Sequence, residues 1–90
     1  MFRIDDVRYY VYMVKTSRNY FYTGISTNPE RRCREHNEGK QGAKCLRGQR
    51  PVQLVWVSCV KTHSAALRLE KSIKKLRHED KKRIVIFDTV

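Results

Sequence analysis

The chain is short of acid. In 90 residues, 9 Asp and Glu face 20 Lys and Arg, a formal net charge of +11. It also lacks any apolar run near the roughly 18 residues that a spanning helix needs, so no membrane segment is expected. The opening MFRIDDVRYY mixes both charge signs and has no apolar core of a secretory signal. The three cysteines, Cys33, Cys45 and Cys59, are odd in number and form no C-x-x-C. A disulfide framework is therefore not expected, a reducing compartment fits, and a cytoplasmic location is expected. Cys33 with His36 and Cys59 with His63 have spacings that zinc tolerates, which would make a zinc-stabilised interaction domain. These pairs fall in helix and strand-end contexts rather than on knuckle turns, so free thiols are preferred. There is no internal repeat and no low-complexity tract.

What is present is cation, spread along the chain rather than held in a tail. Such an excess points to a polyanion, because each phosphate neutralised releases condensed counterions. Hydrophobic content of 40% supports a compact core rather than disorder. The length corresponds to a single domain over 1–90, with a core at about 7–85. Nothing in the sequence sets an oligomeric state.

Hydrophobic patterning gives an element order. Arg8 to Lys15, RYYVYMVK, reads as a strand, as does Tyr20 to Ser26, YFYTGIS. The polar Thr16–Asn19 between them makes a hairpin. Side chains alternate along strands, so Tyr10 and Tyr12 share one face of the first strand, while Tyr20, Tyr22 and Gly24 share one face of the second. Val11 and Met13 point the other way. Asn28, Pro29 and Glu30 are a cap, a first helical residue and a dipole partner, starting a helix that ends near Glu38 with Gly39 as its stop. GKQGAKCLRGQRP follows as a loop with one short helical turn. Val52 to Val60 is the most apolar run and is expected to be the central or best-buried strand. Thr62 or Ser64 caps a helix to about Leu76, with Ala66, Leu69, Ile73 and Leu76 as its apolar stripe. A last helix runs from near His78 to Phe87. The order β-β-α-β-α-α predicts an α+β fold, a small three-stranded antiparallel sheet flanked by helices.

Four places carry candidate chemistry. Glu70 borders the apolar stripe of its helix, and a carboxylate there needs a partner. Two readings stay open: an ion pair with Lys74 one turn on, worth about 0.2–0.5 kcal/mol, or a divalent-metal ligand facing a phosphate groove. Arg32 and His36, four apart, share a helix face that can be directed at the tyrosines. Alternatively Arg31, Arg32 and Arg34 form a solvated basic face. The tyrosines can pack with hydroxyls at the rim, or offer those hydroxyls to a phosphate or a water.

Taken together, Tyr10-Val11-Tyr12, then Tyr22-Thr23-Gly24, then Arg32, then Glu70 in an Ala- and Leu-rich helix resemble the GIY-YIG nuclease family, over about residues 7 to 85. TNPERRCREHN and GAKCLRG look like its small stand-alone members. The resemblance implies a metal-dependent endonuclease-like domain that hydrolyses DNA phosphodiesters with low sequence specificity. Branched or nicked DNA is included among its partners, and RNA is left open. It implies Tyr12, Tyr22, Arg32, His36 and Glu70 as the catalytic set, with Tyr10 and Gly24 as motif residues and Glu70 as ligand of Mg2+ or Mn2+. His36 matches a histidine that contacts the first tyrosine in a subset of members. Arg31, Lys44 and Arg47 would contact the DNA backbone.

Charge builds on the non-bridging oxygens during hydrolysis, and a metal with an arginine answers it. Arg32 would bind the scissile phosphate and Tyr12 would take a proton from the attacking water, with Tyr22 orienting water or phosphate. A tyrosine titrates near pH 10. Arg32, the metal and a hydrogen bond to His36 are expected to favour its phenolate. The loop glycines are expected to let the main chain approach the strand. One departure stands out: Lys82 occupies the place of an asparagine that many members carry. This favours the alternative of a non-catalytic nucleic-acid-binding module with the same fold.

Overall fold

The computed structural model describes residues 8–39 and 42–88. The head MFRIDDV, Lys40, Gln41 and the final two residues lie outside the described residues, and with them the first residue of the expected core. Strands β1 (Tyr9–Lys15) and β2 (Phe21–Ser26) lead into helix α1 (Pro29–Glu38). A 3-10 turn at Lys44–Leu46 precedes strand β3 (Gln53–Val60), followed by helices α2 (His63–Lys74) and α3 (His78–Asp88). The fold is the expected α+β arrangement, with both strand pairs antiparallel.

The hairpin turns on Thr16. Its backbone N–H donates to Tyr20 O at 2.8 Å, and its hydroxyl accepts from the Tyr20 N–H at 3.1 Å. Asn19 takes the left-handed conformation, φ 65°, which asparagine tolerates. Asn28 caps α1 by accepting from Arg31 N at 3.1 Å, Pro29 begins it, and Gly39 ends it at φ 82°. Thr62 caps α2 through Ala65 N at 3.0 Å.

The sheet order is β2-β1-β3, so the central strand is β1 and not the apolar run in β3. Val11, Tyr12, Met13 and Val14 are at most 1% exposed, whereas Gln53, Val57 and Cys59 of β3 are exposed. Apolar content does not decide this position. β1 is paired on both edges and covered on both faces, while β3 keeps one edge and its alternate residues open. The apolar stripe of α2 also ends early: the helix stops at Lys74, and Leu76 is exposed.

The two faces of the sheet hold different layers. Val11, Met13 and Trp56 pack under Ala66, Leu69 and Ile73 of α2, with Ile84 and Val85 of α3. Tyr12, Val14, Tyr22 and Leu54 pack against Cys33 of α1 and against Ala43, Leu46 and Val52. Helices α1 and α2 therefore cover opposite faces, and a side chain of α2 can meet one of α1 only around an edge strand. No described helix is long and apolar enough to cross a membrane.

On the α2 face, Thr23 pairs with Met13 across the strands and is 2% exposed, and its hydroxyl has no partner among the described residues. A buried hydroxyl without a hydrogen bond costs free energy that a methyl of the same shape does not. Thr23→Val is therefore expected to stabilise the fold by about 1 kcal/mol in urea unfolding. A destabilisation of that size would mean the hydroxyl is paired in solution.

Candidate active site

The antiparallel register places Tyr12 opposite Gly24 and Val14 opposite Tyr22, so both phenols lie on the α1 face as their alternation requires. Tyr12 lies across Gly24. A Cβ built on that glycine would stand 2.6 Å from the Tyr12 Oη and 2.7 Å from Cζ, so only a hydrogen fits there. The three rings of Tyr12, Tyr22 and His36 gather, with Tyr22 edge-on to His36 at 5.3 Å between centroids and Tyr12 at 6.1 Å from His36.

His36 is fully buried on the inner face of α1. Its Nε2 lies 2.9 Å from Tyr12 Oη, and its Nδ1 accepts the Ala43 backbone N–H at 3.1 Å. Burial pushes its pKa down, and the neighbouring Arg32 guanidinium adds to the effect. One turn earlier, Arg32 donates to Glu35 Oε1 at 3.0 Å and also reaches the Tyr12 hydroxyl.

The expected bias of Tyr12 toward phenolate is reversed in the protein alone. Burial raises its pKa strongly and Tyr22 adds to this, outweighing the guanidinium of Arg32. The reason is that Tyr12 is 1% exposed, and desolvation penalises the charged form more than one half-buried cation relieves it. Tyr22 is also raised, first by burial and then by the nearby Cys45 thiol, with Lys74 acting against the shift.

Glu70 approaches from the far side of the sheet. Its charge is felt by Tyr22, more weakly than those of Cys45, Lys74 and Arg32. It also pairs with Lys74 at 3.4 Å, its own side chain 20% exposed. The first of the two sequence readings of Glu70, the helical ion pair with Lys74, is present.

A family model, the GIY-YIG catalytic domain, matches residues 8–83. The chain belongs to the GIY-YIG nuclease family. It is similar to a UPF0213 protein of Haloquadratum walsbyi, 50% identical over 84% of this chain and 84% of that one. A UPF0213 protein of Klebsiella pneumoniae is 46% identical over 88% of this chain and 74% of its own. Among solved structures, a protein of E. faecalis superposes with a TM-score of 0.61 at 33% identity, covering 91% of this chain and 86% of that one. The UPF0213 protein of Bacillus halodurans gives 0.57 at 34% identity, over 89% and 84%.

Within this GIY-YIG chain, the structure brings together Tyr12, Tyr22, Arg32 and His36, with Glu70 at the margin. Tyr10 stands one step along the same face, half-buried in a shallow pocket with Asn28, Pro29, Leu54 and Val57. Lys44 and Arg47 are exposed on and just after the 3-10 turn. Arg31 is exposed at the start of α1, 3.9 Å from Glu35. Lys82 is exposed on α3.

The glycine-rich segment approaches helix rather than strand. A Cβ on Gly42 would stand 2.8 Å from His36 Cα and 2.9 Å from Glu35 O, so it is α1 that the turn rests on.

Three residues near the cluster escape sequence reasoning. Ala43 holds His36 through its backbone, and the adjacent glycine was the only signal. Cys45, an exposed free thiol, neighbours Tyr22. Asn37 ties α1 to the start of β3, accepting Val52 N–H at 2.7 Å and donating to Val52 O at 3.0 Å.

Proposed function

We propose that the protein is a divalent-metal-dependent endonuclease that hydrolyses DNA phosphodiester bonds with little sequence specificity. The observation that carries this reading is that Arg32 reaches the Tyr12 hydroxyl while the charge of Glu70, carried by the helix over the opposite face, is felt at Tyr22. A guanidinium, an acid and two hydroxyls are what phosphoryl chemistry asks for. A protein that only held DNA would not need a carboxylate beside its phosphate groove. The net charge of +11 supplies the attraction for the strand.

Glu70 fits Mg2+ or Mn2+. Among the described residues no three His, Cys, Asp or Glu gather. Glu70 would then be a single protein ligand, which suits an ion that keeps several waters and takes phosphate oxygens. When bound, such an ion stabilises negative charge on the transferring phosphoryl group. Arg32 holds the phosphate from the other side. Tyr12, once ionised, accepts a proton from the water that attacks phosphorus, the bond to the leaving oxygen breaks, and that oxygen takes a proton from bulk water. Tyr22 orients the water or the phosphate. Lys44, Arg47 and Arg31 follow the backbone, without reading bases.

A second reading has its own observation. The Glu70–Lys74 pair and the lysine at position 82 suit a module that binds DNA without cutting it.

The test is incubation of the full chain with supercoiled plasmid and with branched or nicked oligonucleotides, with Mg2+ or Mn2+, then with EDTA. Nicking that EDTA abolishes is expected. Because burial raises the Tyr12 pKa, the proton-accepting form is scarce at neutral pH. Below that pKa its share rises with pH, so kcat/KM should climb about tenfold per unit between about pH 7 and 9. Salt-sensitive binding with no cleavage on either substrate across that range would favour the second reading and refute the first.

A further inference from the structure

We infer that the turn after α1 fixes the tautomer of His36 through the Ala43 backbone N–H, making His36 a hydrogen-bond donor to Tyr12 and never its proton acceptor. Only the catalytic consequence rests on the nuclease reading. The tautomer follows from the bonds alone.

The Ala43 N–H donates to Nδ1 at 3.1 Å, and a ring nitrogen that accepts carries no proton. A neutral imidazole keeps its one proton on the other nitrogen. That nitrogen, Nε2, lies 2.9 Å from Tyr12 Oη, so the N–H donates and the phenol oxygen accepts. The cation is disfavoured, because a second ring N–H would face the Ala43 N–H. The charged and titratable groups around the ring agree: Tyr12 comes from β1, Tyr22 from β2, and Arg32 and Glu35 from α1 itself. Arg32 opposes a second positive charge, and Glu35 is already engaged by Arg32.

Gly42 makes the contact possible. No side chain fits between it and the backbone of His36 and Glu35, so the turn seats directly on the helix and Ala43 is held against the ring. Gly42 and Ala43 are thus positioning residues acting through His36.

The consequence concerns where the Tyr12 proton goes. Its oxygen accepts from His36 and lies within reach of the Arg32 donors. The hydroxyl proton must then point away from both, and on ionisation it passes to an acceptor other than His36. The two donors remain to receive the phenolate, which later takes its proton from the attacking water. This arrangement is fixed in advance, as stabilisation of a developing anion requires.

The direct test is nitrogen-15 NMR of the full chain labelled at histidine, near neutral pH, with the His36 signals assigned by their loss in His36→Gln. Nδ1 should resonate as an unprotonated acceptor and Nε2 as a protonated nitrogen. A protonated Nδ1 overturns the inference. The experiment needs no cleavage, so a protein that cuts nothing would defeat the nuclease reading and leave the tautomer standing.

The functional arm compares two replacements. In His36→Gln the amide can still donate to Tyr12, and activity should stay within about tenfold with the same alkaline rise, whereas His36→Leu should lose about a hundredfold. Glutamine as inactive as leucine, in a variant that folds normally, would show that His36 accepts a proton. Gly42→Ala should lift the turn and give His36 signals of both tautomers. An unchanged single tautomer there would remove Gly42 and Ala43 from the argument.

Discussion

Glu70→Gln is expected to slow cleavage by about a thousandfold while DNA binding tightens. The loss follows from removing the carboxylate of α2 whose charge reaches Tyr22. Without it no ion is held against the phosphate, and losing one such stabilising group costs on the order of 10²–10³ in rate. Gain in binding comes from the same bond. Glu70 engages Lys74 at 3.4 Å, and the amide of glutamine leaves that ammonium for the backbone phosphates. One more phosphate contact should steepen the salt dependence by about one counterion. Folding should hardly change, because a pair of this kind on a helix surface contributes about 0.2–0.5 kcal/mol. Single-turnover nicking, fluorescence anisotropy over a salt series and urea unfolding together separate these effects. Cleavage equal to that of the parent would place the chemistry elsewhere. Weaker binding with lost cleavage would make Glu70 a structural residue.

Local chemistry made much of the fold legible. Caps at Asn28 and Thr62, the stop at Gly39 and the turn at Thr16–Asn19 act within a few residues of where they sit, and each operates as the sequence indicates. Strand alternation put Tyr12, Tyr22 and Gly24 on one face because a period of two needs no knowledge of partners. The position of β1 was not legible. Being central is a property of pairing, and the apolar run in β3 remains apolar at an edge. The thermodynamic state of Tyr12 was hidden for a similar reason. Neighbouring charge can be guessed from a motif, but the depth of burial that outweighs it depends on layers packed from α1, β2 and the 3-10 turn. Nor could the hold of Ala43 on His36 be read, since a backbone N–H leaves no mark in the amino-acid sequence. The glycine beside it was suggestive only of close approach, and helix and strand were equally good targets.

Gly24→Ala should disable the protein almost as severely, by geometry alone. The φ of Gly24 lies outside the left-handed region, so the alanine backbone is unstrained and the entire effect is one of space. Its Cβ would enter 2.6 Å from the Tyr12 Oη, 2.7 Å from Cζ and 3.0 Å from Cε1. The ring cannot swing into solvent to make room, since it is 1% exposed and held by His36. It must tilt by close to an ångström, or the hairpin must part. Overpacking of this kind costs about 1–3 kcal/mol. A displacement of that size at a reacting group costs about a hundredfold in rate. The double variant Gly24→Ala/Tyr12→Leu separates the two losses. With the ring gone, most of the stability should return, so the two substitutions will be far from additive in urea unfolding, while cleavage should stay absent because the hydroxyl is missing. If Gly24→Ala alone keeps both its stability and its activity, the ring does not lie across this glycine in solution, and the path by which Arg32 and His36 meet Tyr12 must be redrawn.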